Sequence, residues 1–151
     1  MSDVVSVERF ISAPASEIFD LIADPARHKD IDGSGTVRDP RGKVERLRLG
    51  STFGMSMVIG VPYAMESTVI EFEEGRRLAW QTRGPTRIGK LVGGRIWRYE
   101  LDPEDGGGTL VRESWDLSQE SRLTKFAAQR AGKTTAKNMA ATLERIEKLL
   151  T

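Results

Sequence analysis

The chain has 151 residues, 38% of them hydrophobic and 30% charged, and its 23 Lys and Arg nearly cancel its 22 Asp and Glu. That length suits one domain with its own core, and the charge balance supplies no general field for nucleic acid or an anionic membrane. Cys is absent and His occurs once, which excludes disulfides, thiolate nucleophiles and Cys/His zinc sites within one subunit.

No apolar run reaches the roughly 18 residues of a membrane span. The start, Met1-Ser2-Asp3-Val4, lacks the cationic and apolar regions of a signal peptide, so a soluble cytoplasmic domain without stable membrane insertion is expected. Val4 to Ile11 is rich in β-branched and aromatic residues and predicts a strand. Pro14 suits the first turn of a helix, and Ile18, Leu21 and Ile22 recur at helical spacing, so a short helix is expected over Pro14 to Ala23. Asp24-Pro25 interrupts it, and a second helical turn or two over Pro25 to Ile31 leads into a flexible Gly33-Ser34-Gly35.

The middle of the chain changes period. Thr36 to Leu49, Ser51 to Ile59, Tyr63 to Glu73, Arg76 to Arg83, Arg95 to Leu101 and Thr109 to Leu117 are strand-length segments. Glu73-Glu74-Gly75 and the Gly-rich Asp102 to Gly108 read as hairpin turns, which implies a meandering antiparallel sheet. Arg83 to Gly94 is the one longer irregular connection. From Ser121 to Leu150, the residues Leu123, Ala127, Ala131, Thr135, Met139, Leu143, Ile146 and Leu150 step by three or four, predicting one helix of about 45 Å. Its stripe shrinks to Ala127, Ala131 and Thr135 with Gly132 alongside, which predicts space beneath the helix. No repeat or linker interrupts the chain, so one domain over 1–151 is expected.

This order of elements, with Ile11-Ser12-Ala13-Pro14-Ala15-Ser16-Glu17-Ile18-Phe19-Asp20-Leu21-Ile22-Ala23-Asp24-Pro25, Arg77-Leu78-Ala79-Trp80, the hairpin from Trp97-Arg98-Tyr99 through Gly107-Gly108-Thr109, and Glu113-Ser114-Trp115, resembles the START-like SRPBCC superfamily. It is most similar to the bacterial polyketide cyclase/dehydrase and lipid-transport-like members. The resemblance implies an α+β helix-grip fold. A curved antiparallel sheet of about seven strands wraps around a long C-terminal helix, with two short helices after the first strand. It also implies a cavity between sheet and helix for a lipid, a polyketide or another aromatic or isoprenoid ligand. The opening motif is a helix start and core positions, so it speaks to fold and not to a reaction.

Phe53, Met55, Met57, Trp80, Trp97, Tyr99, Trp115, Phe126 and Met139 are expected to converge on the concave face, with Ala131 leaving room for a ligand; a filled core is the alternative. Alternation in Thr109 to Leu117 puts Glu113 on the same face as Val111, Trp115 and Leu117. With a turn over Asp102 to Gly108, Trp97 faces Glu113, and Arg95 and Tyr99 lie diagonally from it. Two readings follow for Glu113: a structural pair with Arg95 or a rim position, or ligand orientation and proton transfer with Tyr99 and Arg95. His28, Asp30 and Asp32 alternate at a weak metal-ligand spacing, but a lone His after a helix reads as solvated or capping, so no metal or other cofactor is expected. Gly89, Gly93 and Gly94 with Arg87, Lys90 and Arg95 lack Walker or dinucleotide spacing and read as a solvated basic loop at a cavity mouth. The leading expectation is binding or transport of a hydrophobic small molecule. The alternatives are a polyketide cyclase/aromatase-like enzyme and a protein-interaction module related to chaperone activators. Nucleic acid is not an expected partner, and no pattern in the chain encodes an oligomeric state.

Overall fold

The computed structural model of the chain describes residues 3–41, 45–59, 61–84 and 93–151. Seven strands form one antiparallel sheet in the order β1-β7-β6-β5-β4-β3-β2. They are β1 (Val4–Ile11), β2 (Val37–Arg41), β3 (Thr52–Ile59), β4 (Val61–Glu73), β5 (Arg77–Arg83), β6 (Gly93–Pro103) and β7 (Thr109–Asp116). Strands β2 to β7 are a meander, and β1 lies beside the last strand, so the chain between β1 and β2 must travel from one sheet edge to the other. Helix α1 (Ala15–Ile22), a 3₁₀ turn at Pro25–Arg27 and helix α2 (His28–Ile31) make that passage. Two further helices follow the sheet, α3 (Arg122–Arg130) and α4 (Gly132–Leu150). This is the expected helix-grip arrangement.

Local chemistry explains the boundaries. Pro14 sits at the N-cap of α1 with φ −63° and ψ 145°, and Ile18, Phe19, Leu21 and Ile22 bury the apolar side of the helix. The Asp24 side chain accepts the Ala26 N–H at 3.0 Å and starts the 3₁₀ turn. The expected strand Thr36 to Leu49 is shorter than its composition suggests. The N–H of Leu47 donates to the Ala23 carbonyl at 2.7 Å, and Leu47 is buried in the core, so this segment docks on the end of α1 instead of extending β2. Gly33-Ser34-Gly35 is held and not loose: the Asp32 carboxylate accepts from Ser34 N, Ser34 Oγ and Val37 N at 3.0, 2.7 and 2.9 Å. A Cβ on Gly33 would lie 2.2 Å from the Asn138 carbonyl, so only glycine lets this loop press on α4.

The expected single C-terminal helix is two. It breaks at Ala131 (φ −87°, ψ 3°), leaving α4 with 19 residues and a length of about 29 Å. Helix α4 packs against β1 and β7 and against α1 and α2, so it lies over the β1 end of the sheet. Its buried face is Thr135, Met139, Thr142, Leu143 and Ile146. The stripe that periodicity extends back through Ala131, Ala127 and Leu123 does not continue inward: those three residues are exposed, and Ala128 is the buried residue of α3. Enlarging Ala131 therefore fills no space beneath the helix, contrary to expectation.

Candidate functional site

The inner face of the sheet is ordered in transverse rows, because antiparallel register places residues of successive strands side by side. One row runs Val5, Trp115, Trp97, Trp80, Val69, and the next runs Val7, Glu113, Tyr99, Leu78, Phe72. Glu113 is therefore flanked across the strands by Val7 and Tyr99. The expected neighbour Trp97 instead faces Trp115, and Leu101 faces Val111. The hairpin register is shifted by two residues because β6 continues to Pro103. A shift of two preserves the parity of every side chain, so the expected face for Glu113 stands while its partner changes.

Glu113 is 3% exposed and lies between two apolar clusters. Tyr99, Leu101, Val111, Leu143 and Ile146 belong to one, and Trp115, Leu117, Ala128 and Met139 to the other. Burial pushes its carboxyl up to about 8, the Tyr99 hydroxyl opposes this by hydrogen bonding, and the Asp32 carboxylate adds to the rise. At neutral pH the group is mainly a neutral carboxylic acid. Burial and the neighbouring Glu113 push the Tyr99 phenol well above its usual range, so it stays a hydroxyl. Among the described residues, two buried side-chain polar atoms have no hydrogen-bond partner, Glu113 Oε1 and Trp115 Nε1. They belong to residues i and i+2 of one strand, on one face, about 7 Å apart along the backbone. Leaving such atoms unpaired costs about 1–3 kcal/mol each.

An aromatic row borders this pair. Trp80 lies 5.8 Å from Tyr99 and 5.6 Å edge-on from Phe53, and the His28 imidazole stacks on Trp80 at 5.1 Å between ring centroids. Trp97 and Trp115 are 5.9 Å apart, and Met139 packs with them from α4. His28 was expected to be solvated or capping. It is instead 7% exposed, with Nε2 2.9 Å from the Ile22 carbonyl oxygen, and burial pushes its pKa down. His28, Asp30 and Asp32 do not converge: Asp30 pairs with Arg27 on the surface, and Asp32 is engaged by its own loop.

Other expected site residues fall elsewhere. Arg95 does not meet Glu113. Its guanidinium pairs with Glu120 at 2.7 Å, and the Glu120 side chain, 0% exposed, also accepts the Thr124 hydroxyl at 2.7 Å. Phe126 is 68% exposed on α3, beneath the Arg130 guanidinium. Met55 and Met57 belong to β3, opposite Met65 and Tyr63, and their side chains lie outside the described residues. Gly89, Arg87 and Lys90 also lie outside them. Gly94 has a steric role: at φ 110°, a Cβ there would lie 2.2 Å from the Gln119 carbonyl oxygen. Sequence reasoning missed Asp32 and Glu120 as partners. The Asp32-x-Ser34 spacing of an Asx turn was a usable signal for the first, and nothing local marked the second.

The same fold recurs in solved structures of low sequence identity. A protein from Chromobacterium violaceum superposes with a TM-score of 0.75 at 16% identity, covering 99% of this chain and 98% of that one. One from Mycobacterium smegmatis gives 0.73 at 16% identity, covering 99% and 91%. An uncharacterized protein of Mycobacterium tuberculosis is 35% identical over 107 residues, 70% of this chain and 44% of its own length. The chain thus spans less than half the length of the curated relatives it matches. The family model described as polyketide cyclase / dehydrase and lipid transport matches residues 2–151. With its strand order, its two rows of inner-face residues and this match over nearly its full length, the chain belongs to the polyketide cyclase/dehydrase and lipid-transport family.

Proposed function

We propose that this single START-like domain binds and carries a hydrophobic small molecule bearing an oxygen acceptor, held against the inner face of the sheet. The observation that carries this reading is the pair of partnerless buried atoms, Glu113 Oε1 and Trp115 Nε1, set among aromatic side chains. An indole N–H only donates, and a protonated carboxyl presents an O–H donor. Carbonyl, quinone or hydroxyl oxygens on the ligand complement both, while Trp80, Trp97, Phe53 and Met139 offer apolar contact. Met55 and Met57 belong to the same proposed lining by alternation; Ala131 and Phe126 do not. Apolar burial at about 25 cal/mol per Å² supplies most of the affinity, and the two donors select the oxygenated ligand.

A matched pair of probes tests this, 2-methyl-1,4-naphthoquinone and 2-methylnaphthalene, titrated by quenching of the intrinsic Trp fluorescence. The quinone is expected to bind about tenfold more tightly, the equivalent of one net hydrogen bond of about 1.4 kcal/mol. Trp115→Phe is expected to reduce that preference severalfold, leaving the Glu113 donor, and to leave the hydrocarbon's affinity unchanged. Equal affinity of the two probes in the native protein, or no saturable binding of either, defeats the reading.

A second reading, a cyclase/dehydrase-like enzyme, is favoured by the elevated pKa of Glu113 beside Tyr99. A neutral carboxylic acid can pass its proton to a ketone oxygen during aldol closure and recover one on dehydration. Turnover of a linear poly-β-ketone mimic, lost in Glu113→Gln, distinguishes it from carriage.

A further inference from the structure

Helix α3 is inverted relative to an ordinary surface helix. Leu123 is 73% exposed and Phe126 68%, Ala127 beside them is exposed, and Ala128 is its buried residue. Leu123, Phe126 and Arg130 recur at spacings of three and four, so they form one outward stripe.

The charge around it has one sign. From Ser121 to Thr142 the chain carries Arg122, Lys125, Arg130, Lys133 and Lys137 and no Asp or Glu. Lys125 is tied to Asp3 at 3.3 Å, and the Asp3 carboxylate also accepts from Gln129. Glu120, just before α3, is buried on Arg95 and Thr124. Arg122, Arg130, Lys133 and Lys137 are exposed and meet no carboxylate among the described residues, and Arg130 lies over the Phe126 ring at 5.3 Å. In a chain of net charge +1, the segment 122–137 thus carries four uncompensated cations and two exposed large apolar side chains, with Arg130 seated on Phe126.

We propose that α3 is an interfacial docking element, which seats Leu123 and Phe126 in the headgroup region of an anionic lipid bilayer while Arg122, Arg130, Lys133 and Lys137 meet its phosphates. Apolar insertion together with basic residues near the surface is the combination that binds such a bilayer peripherally, without a spanning segment. No helix of the described residues is long and apolar enough to cross a membrane, and docking requires none. A protein partner with an acidic surface or a second copy of this chain would use the same residues differently. A second copy brings the same cations to the interface and repels, so charge complementarity favours the bilayer.

The test is co-sedimentation of the whole chain with vesicles of phosphatidylcholine alone and with about one third phosphatidylglycerol added. The expected result is partition onto the anionic vesicles at least about tenfold above the neutral ones, weakened by salt. The double variants Leu123→Ser/Phe126→Ser and Lys133→Glu/Lys137→Glu are each expected to lower that partition at least about tenfold while melting as the native protein does. Their quinone binding is expected to be unchanged, which keeps this proposal separable from that of the ligand. Failure of the native protein to bind anionic vesicles, equal binding to neutral ones, or full binding by either variant overturns it. So does a concentration-dependent dimer in light scattering that the Leu123→Ser/Phe126→Ser variant abolishes.

Discussion

At Glu113 the strand pattern and the energetics meet in one measurable quantity. Its folded pKa of about 8 stands above the ordinary 4.5, so between these values the folded state holds a proton that the unfolded state has lost. Stability therefore falls as pH rises through that window. His28 acts in the opposite sense. Burial depresses its folded pKa, so its contribution is present above about 6.5 and lost as pH falls below it. Between pH 6.5 and 8 Glu113 is the one of the two that sets the slope. The native protein is expected to lose about 2 kcal/mol over that interval, and Glu113→Gln is expected to flatten the loss, read by thermal melting across a pH series. Identical slopes in the two proteins would show that Glu113 holds no extra proton in the folded state over this window. The alternation Val111, Glu113, Trp115 was enough to find this residue, because parity survives a register shift of two. Tyr99 was legible as a neighbour but its place directly opposite was not, because the hairpin residues Asp102 to Gly108 permit more than one closure, and the Glu120 that claims Arg95 lies beyond the strand.

Helical periodicity carries the same kind of ambiguity for an element. Leu123, Ala127 and Ala131 keep step with Thr135 and Met139, yet a break of one residue at Ala131 is enough to leave the first three outside. Spacing reports which residues share a face and does not report whether the face is covered. Two glycines, one in the α2–β2 loop and one at the first position of α4, also look alike in sequence and differ in consequence. Gly33 approaches the α4 backbone so closely that Gly33→Ala places a Cβ 2.2 Å from the Asn138 carbonyl and 2.6 Å from the Thr142 nitrogen. Backbone cannot yield as a flexible side chain does, so a loss of about 1–3 kcal/mol is expected. A Cβ on Gly132 would meet only Val5 Cγ2 at 3.7 Å, an ordinary contact, and its φ is not positive. Gly132→Ala is therefore expected to stabilise by up to about 1 kcal/mol. Urea midpoints of the two variants should move in opposite directions; a shift of both in the same direction contradicts the packing of the α2–β2 loop against α4.

On the scale of the whole molecule, the two rows across the inner face are built from five strands, β1, β7, β6, β5 and β4, and no strand supplies more than one residue to a row. The meander and the order of helices were legible in the alternation and the turn residues. The seating of β1 beside β7 was not, since strand order is a long-range property that local patterns do not encode. That seating has a thermodynamic consequence. A ligand lying across the rows touches strands from both ends of the chain, and Glu113 lies between the apolar cluster around Tyr99 and the one around Trp115. Binding there cannot protect one part of the sheet and leave another to open. The quinone probe at about 100 times its dissociation constant is expected to raise overall stability by about 2.7 kcal/mol, and amide exchange of β1 and β5 should slow by the same factor. Trp115→Phe should cut both effects together at the same probe concentration. Protection confined to β3 and β4 would place the molecule on the other half of the sheet and remove Glu113 and Trp115 from its recognition.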